Sequence, residues 1–324
     1  MHRAGHFRKV EEKQMGVITA AMVKELREKS GAGMMDCKKA LTKVDGDMEK
    51  AIDWLRENGI MKAQKKADRI AAEGLCLACV SEDEKTGVAV EVNSETDFVA
   101  KNEKFQKFVA DVAAQVVATD TDDTDAFMAT TMADGTTVQE RLTAEVATIG
   151  ENLKIRRFTR VKEENGFVAS YTHMGGKIVV LVDVETDVVN DEIREMAKNV
   201  AMQAAAMRPK FCSREEVDAD YLAKEKEILL VAAKNEKPNA PEKVIAGIVM
   251  GRINKELSEI CLLDQVYVKD EDGKQSVQKY VDQVAKANGA NLKVKGYVRY
   301  ETGEGIEKKV ENFAAEVAAQ MNKA

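Results

Sequence analysis

Val90-Glu-Val-Asn-Ser-Glu-Thr-Asp97-Phe98-Val99 and Val180-Leu-Val-Asp-Val-Glu-Thr-Asp187-Val188-Val189 are two versions of one pattern, about ninety residues apart. Each is an aliphatic run of strand type, then Glu-Thr-Asp, then a pair of apolar residues. Each leads into a stretch of helical period, residues 103–118 after the first and 191–207 after the second. Two copies are too few to stack as a solenoid, so the duplication predicts two related subdomains of strand and helix. The copies differ where it matters: Phe98 of the first is Val188 in the second.

Working outward, residues 75–80 and 88–92 alternate or run apolar as strands do, with a turn over 83–87 between them. The helix at 103–118 turns Phe105, Phe108, Val109, Val112 and Val116 inward. Residues 119–131 are polar and rich in Asp, which predicts a surface loop, and 138–149 predict another helix. Three strand-like runs follow, 153–162, 167–171 and 177–184, with turns at 163–166 and at Met174-Gly175-Gly176. They predict a meander and an α+β class.

Upstream, residues 15–69 predict three short helices. Thr19 caps the first, which carries Met22, Val23 and Leu26, and Gly31-Ala-Gly33 breaks it. The second carries Met34, Cys37 and Leu41. Asp47 caps the third, whose stripe is Met48, Ala51, Ile52 and Leu55, and Asn58-Gly59 ends it. A unit this small is marginal alone and is expected to be tethered to a larger core. Downstream, residues 213–258 predict a helical hairpin arm. Ser213 is at its start, Leu222, Ile228 and Leu229 lie on the outbound helix, and Ile245, Ile248 and Val249 lie on the return beyond the turn Pro238-Asn-Ala-Pro241. Strand, helix and strand follow at 266–268, 277–287 and 292–300. A last amphipathic helix is expected over 306–321, with Val310, Phe313, Ala314 and Val317.

These elements divide the chain into a leader at 1–14, a helical domain at 15–69, core subdomains at 70–158 and at 159–212 with 259–302, the arm, and a C-terminal helix module at 303–324. The leader is polar and lacks the apolar stretch of a signal peptide. Residues 10–14 would be encoded by purine-rich codons, as a translated ribosome-binding site would be, so Met15 is the expected start.

Composition removes several classes of function. A net charge of −7 with no basic block is poor for gripping phosphates, so no direct nucleic acid is expected. No apolar run reaches the roughly 18 residues of a membrane span. Five scattered cysteines, Cys37, Cys76, Cys79, Cys212 and Cys261, read as reduced thiols of a cytosolic protein. Cys76 and Cys79 lack the second pair a structural zinc site needs, and strand alternation sends them to opposite faces. There are three histidines, two of them in the leader, and no phosphate-binding loop; Gly175-Gly176-Lys177 lacks the upstream glycine and the following hydroxyl. Neither an ordinary catalytic triad nor a nucleotide site can be assembled, and no metal, cofactor or covalent chemistry is expected.

The segment Glu95-Thr-Asp-Phe98-Val99-Ala-Lys-Asn102 remains. It sits where a strand gives way to a helix, and Thr96 or Asp97 can cap that helix. Phe98 has two readings. It packs in the core as a hydrophobic staple, or it stands exposed at the corner as a binding anchor.

Here the residues resemble a known family. The stretch from Met15 to Leu41 (MGVITAAMVKELREKSGAGMMDCKKAL), the loop Glu95 to Asn102, Ile149-Gly-Glu-Asn152 with Ile155-Arg-Arg157, Ser170-Tyr-Thr-His173 and Gly303-Glu-Gly-Ile-Glu-Lys308 are similar, in order, to elongation factor Ts. The resemblance implies a ubiquitin-associated-like N-terminal domain, a two-subdomain core, a helical arm and a C-terminal helix. It implies a guanine nucleotide exchange factor of translation, whose partner is the GTPase elongation factor Tu in its GDP-bound and nucleotide-free forms. It implies that Thr96, Asp97, Phe98 and Val99 enter the partner and disturb its Mg2+, and that Met34, Met35, Lys38, Ile149, His173 and Ile260 are further partner contacts. In some relatives the arm mediates self-association. Two other classes stand beside this one: a ubiquitin-associated-like binding module on an unrelated scaffold, which predicts no dependence on Phe98, and an enzyme, against which the missing histidines and phosphate loop argue.

Overall fold

Thr19, Gly31 and Asp47 act as the sequence predicts. In the computed structural model, which describes residues 18–307, Thr19 Oγ1 accepts from the Met22 amide at the start of α1 (Ala20–Ser30), and Gly31 ends that helix at φ 67°. Helix α2 (Met34–Lys43) follows, and Asp47 caps α3 (Met48–Gln64) by accepting from the Lys50 amide. Val23, Leu26, Cys37, Ala40, Leu41 and Ala51 form the core of this small unit. The leader, the expected start at Met15 and the expected last helix beyond residue 307 lie outside the described residues.

Asn58-Gly59 does not end α3, which runs on to Gln64. The reason is packing. The first compact unit comprises, among the described residues, 18–69 and 139–152, so the helix Val138–Ile149 (α7 in chain order) belongs with α1–α3. Gly59 is buried, and a Cβ there would meet the Ala147 Cβ at 3.5 Å. A glycine that would end an isolated helix is here covered by the neighbouring helix, and the helix continues. Arg56 and Glu140 pair between the two helices. Asn152, in the motif after α7, donates to the Arg69 carbonyl at 2.8 Å.

The second unit, 70–138 and 153–307 among the described residues, holds the duplication. Strands β1 (Glu73–Val80), β2 (Thr86–Ser94) and β3 (Lys154–Lys162) form one antiparallel sheet in that order. Strands β4 (Gly166–His173), β5 (Ile178–Thr186) and β6 (Leu292–Glu301) form a second with the same plan. The expected meander of β3, β4 and β5 is therefore corrected: β3 pairs with β2 and closes the first sheet, and β4 opens the next. In each copy a central strand leaves through Glu-Thr-Asp into a helix, α5 (Glu103–Ala118) in the first and α8 (Asp191–Met207) in the second. The sheets meet through Cys76, Ala89, Val168, Val179, Leu181 and Tyr300. The far face of β5, Val180, Val182 and Val184, packs on α8 and α11 (Val277–Asn288). Central strands covered on both faces explain why β2 and β5 read as nearly unbroken apolar runs.

Three further expectations are corrected. The supposed loop at 119–131 holds a short helix, α6 (Thr124–Met128), capped by Asp123, because Phe127 is fully buried with its ring 4.7 Å from that of Phe158. Val266–Val268 is no strand but a single bridge to Ser276; the side chain of buried Gln203 takes the place of a neighbouring strand, donating to the Val266 carbonyl at 3.0 Å and accepting from the Val268 amide at 2.9 Å. The arm's first helix, α9 (Ala219–Glu236), starts at an Asp218 cap and not at Ser213, which precedes a short 3-10 turn. Its return, α10 (Glu242–Ile260), buries Ile245, Val249, Ile253 and Leu257 against Ala233, while Ile228 stands outside.

One buried cluster in this unit sets a pH dependence. Glu163 holds Lys295 at 2.8 Å and accepts from the Asn165 amide at 2.6 Å. Asp183 sits beside Glu163. Burial first, then a hydrogen bond to Glu163 and its charge, push the Asp183 carboxyl up to about 6. A carboxyl held above its unfolded value of 3.8 gives stability that is whole below that pH and is lost as pH rises through about 6. Asp183→Asn, which keeps the donor and removes the ionisation, is expected to flatten that part of the stability profile. Near neutral pH it should gain about 1 kcal/mol, well below the full shift because the group is partly solvated. Urea unfolding at a series of pH values checks this; an unchanged profile between about pH 4 and 6.5 would refute it.

Candidate functional site

β2 ends at Ser94, whose hydroxyl donates to the Thr96 carbonyl at 2.9 Å and tightens the corner. A single helical turn follows, α4 (Asp97–Ala100), closed by the Lys101 and Asn102 amides on the Phe98 and Val99 carbonyls. Thr96 occupies the N-cap position of this turn without a side-chain capping bond. Asn102, accepting from the Lys104 amide at 2.9 Å, caps the long helix α5 instead.

On the single turn of α4 the two apolar residues 98 and 99 divide, about 100° apart around the helix axis. Val99 faces the core, at 8% exposure, and Phe98 is left 78% exposed. Of the two sequence readings of Phe98, the core staple is thereby removed, and the ring stands exposed at the corner. Asp97 is half-exposed and held by Lys101, Nζ to Oδ2 3.0 Å, and the same ammonium lies 5.7 Å from the centre of the Phe98 ring. Lys101 was not singled out from the sequence, although its place four residues after Asp97 is the spacing that lets side chains meet on a helix.

The internal twin shows what is special about this corner. In the second copy Asn190 caps α8 directly, and the helix starts four residues after Asp187; in the first copy α5 starts six residues after Asp97. The two extra residues (103 − 97 against 191 − 187) are wound into α4 and carry Phe98 outward. Asp187 is tied to Asn291, accepting from its backbone at 2.8 Å and its side chain at 2.6 Å, and Val188 packs against the core. The duplication thus keeps one closed corner and one that projects an aromatic ring.

The remaining candidate residues are placed as follows. In the first unit, Met34 and Met35 open α2 at 59% and 63% exposure, with Lys38 exposed one turn on; Ile149 is half-buried at the last residue of α7. In the second, His173 is exposed at the tip of the β4–β5 hairpin. Ile260 is half-buried at the base of the arm, where its carbonyl accepts from the Lys210 and Phe211 amides at 2.8 and 3.1 Å. The sequence did not assign a role to Tyr171, whose hydroxyl is 2.9 Å from His173 Nδ1. The signal was the two-residue spacing that puts both side chains on one face of a strand. Among the described residues no group of His, Cys, Asp and Glu is arranged to hold a metal ion, and no helix is long and apolar enough to cross a membrane.

The corner presents an aromatic side chain to water with a carboxylate beside it, both on one helical turn. Comparison with known proteins agrees with the resemblance read from the motifs. The family model described as Elongation factor TS matches residues 95–304. Elongation factor Ts of Clostridioides difficile (strain 630) is 53% identical over 307 residues, 95% of this chain and 100% of that protein. Those of Clostridium botulinum (strain Eklund 17B / Type B) and Clostridium tetani (strain Massachusetts / E88) are each 50% identical over 307 residues, covering 95% and 94% of this chain and 100% of the relatives. With the duplicated core, the projecting corner and half-identical relatives matched along their whole length, the chain belongs to the elongation factor Ts family.

Proposed function

We propose that the chain binds elongation factor Tu in its GDP form, inserts the turn formed by Thr96, Asp97, Phe98 and Val99 near the partner's magnesium site, and so promotes GDP release. The observation that carries this is the Phe98 ring, 78% exposed on a turn anchored by buried Val99. A large apolar side chain held in water gains about 1.5–3 kcal/mol when a partner covers it. In a GTPase the Mg2+ bridges nucleotide phosphates to the protein, so moving the elements that hold the metal weakens the nucleotide. Linkage supplies the rest: if the nucleotide-free partner takes the ring better than the GDP form, GDP binds more weakly by the same factor. Asp97 places a carboxylate in the same neighbourhood, and Lys101 holds it ready.

Met34, Met35 and Lys38 offer the partner a second surface in this proposal, apolar with one positive charge. His173 offers a polar tip, while Ile149 and Ile260 present edges of half-buried side chains. None of these groups needs to form or break a covalent bond. The test is release of a fluorescent GDP analogue from elongation factor Tu, followed with and without the chain in excess unlabelled nucleotide. Acceleration that saturates with the chain is expected; a release rate unaltered at the highest attainable concentration would refute the proposal.

A further inference from the structure

The tip of the β4–β5 hairpin is built more rigidly than an exposed turn needs to be. Met174, Gly175 and Gly176 take φ of 49°, 62° and 94°, three left-handed residues in a row. The Gly176 carbonyl accepts from the Cys76 amide at 2.8 Å, and a Cβ at Gly176 would come within 2.4 Å of Leu75 Cδ1, so the foot of the turn is pressed against β1. Two side chains stand on this base. Met174 is 72% exposed, and His173, beside it, is exposed as the last residue of β4.

Tyr171, two residues back on the same strand face, differs from both. Its ring packs against the core formed by β5 and α8, and its hydroxyl reaches His173 Nδ1 at 2.9 Å with the rings 5.9 Å apart. A phenol is a good donor and a weak acceptor, whereas the bare nitrogen of a neutral imidazole is a good acceptor. The favoured bond is therefore Tyr171 O–H to His173 Nδ1, which leaves the ring proton on Nε2. The core has already fixed the tyrosine ring, so little freedom remains to be lost in holding the histidine.

We propose that Tyr171 is a positioning residue that locks His173 as the Nε2–H tautomer, so that the tip presents a directed donor beside the apolar Met174 side chain to an acceptor oxygen on the partner GTPase. The proposal rests on the reading of His173 as a partner contact. It adds the chemistry of that contact: a carbonyl or carboxylate oxygen is taken, and a second donor is not. Neutral histidine in the other tautomer would offer a lone pair outward and meet such an oxygen with repulsion.

The test uses the full chain labelled with 15N and two-bond proton–nitrogen correlation of the His173 ring in its neutral form, assigned by loss of the signal in His173→Gln. Nitrogen shifts of a dominant Nε2–H tautomer are expected, moving toward a tautomer average in Tyr171→Phe, which keeps the packed ring and removes only the hydroxyl. Release of the fluorescent GDP analogue gives the functional arm. Tyr171→Phe should raise the half-saturating concentration about three- to ten-fold with the maximal rate kept, the range of one directed hydrogen bond. In a His173→Ala background it should have no further effect. Unchanged nitrogen shifts in Tyr171→Phe, with the amide spectrum intact, would overturn the tautomer lock whatever His173 does. If the shifts move as expected but His173→Ala exchanges like the wild type, the role of His173 at the partner is what falls, and the proposed presentation falls with it.

Discussion

Phe98→Ala is expected to lower the stimulation of GDP release by about ten- to a hundred-fold while leaving the stability of the chain within about 0.5 kcal/mol of wild type. Both halves follow from the same exposure of 78%. A ring that contributes almost nothing to its own protein's interior can be removed without a cavity, and the transfer free energy lost is that of the bound state alone. The loss should appear in the maximal rate as well as in the half-saturating concentration, because the proposed insertion does more than hold the complex together: under that proposal the ring favours the nucleotide-free partner over the GDP-bound one. Phe98→Leu should fall between the two, since it keeps apolar bulk and loses the plane. The measurement is release of a fluorescent GDP analogue at saturating chain, with urea unfolding of each variant as the control. A Phe98→Ala chain that stimulates release fully at saturation would show that the corner is not the wedge, although membership of the family would stand.

The corner was legible in the sequence because its pattern occurs twice. Strand period, Glu-Thr-Asp and helix period were all local signals, and the structure returns them as β2 to α5 and β5 to α8. What local signals could not decide was whether Phe98 faced in or out. That depends on two extra residues before the Asn102 cap, a difference visible only once Asn190 is seen to cap the twin helix directly. The errors share a cause. Asn58-Gly59 stops an isolated helix, but packing on α7 overrides it; residues 119–131 are polar on average, but one buried aromatic, Phe127, is enough to nucleate a turn of helix. Strand pairing failed in the same way, because β3 follows a long helical excursion and nothing in its own residues says that it returns to β2. Lys101 and Tyr171 are not legible for a different reason: each is marked by its contact with a neighbouring side chain, and a single sequence shows residues more readily than pairs.

Glu91 carries the second large effect. Its carboxylate lies on β2 at 0% exposure, and it accepts from Arg156 at 3.0 Å, Arg157 at 2.6 Å, Asn93 at 3.0 Å and the Gly303 amide at 2.8 Å. Burial alone would push this carboxyl up; the Gly303 amide, Asn93 and the two arginines reverse that and hold it below its ordinary value. The cluster explains why the Gly303-Glu-Gly305 motif needs no partner to account for it. Gly303 takes φ 73°, a Cβ there would lie 2.0 Å from the Ala72 carbonyl oxygen, and Glu304 pairs with Arg157 at 3.3 Å. The chain leaving β6 is thus latched onto the first sheet with Glu91 at the centre of the contact. Glu91→Ala would take the buried acceptor from two arginines and a backbone amide at once, and the expected loss of stability is about 3–5 kcal/mol, nearer the lower figure because both guanidinium groups keep contact with water and with residues 301 and 304. Glu91→Gln keeps an acceptor for Gly303 and should lose about half as much. The sign of the pH dependence separates a charge effect from simple misfit. A carboxyl held below its unfolded value of 4.5 gives stability that is present above that pH and lost as pH falls through its lowered folded value. The gap between wild type and Glu91→Gln should therefore narrow as the solution is acidified below about pH 4.5, and a gap that stays constant into acid, or one smaller than about 1 kcal/mol at neutral pH, would mean that the latch is held by packing and not by this charge.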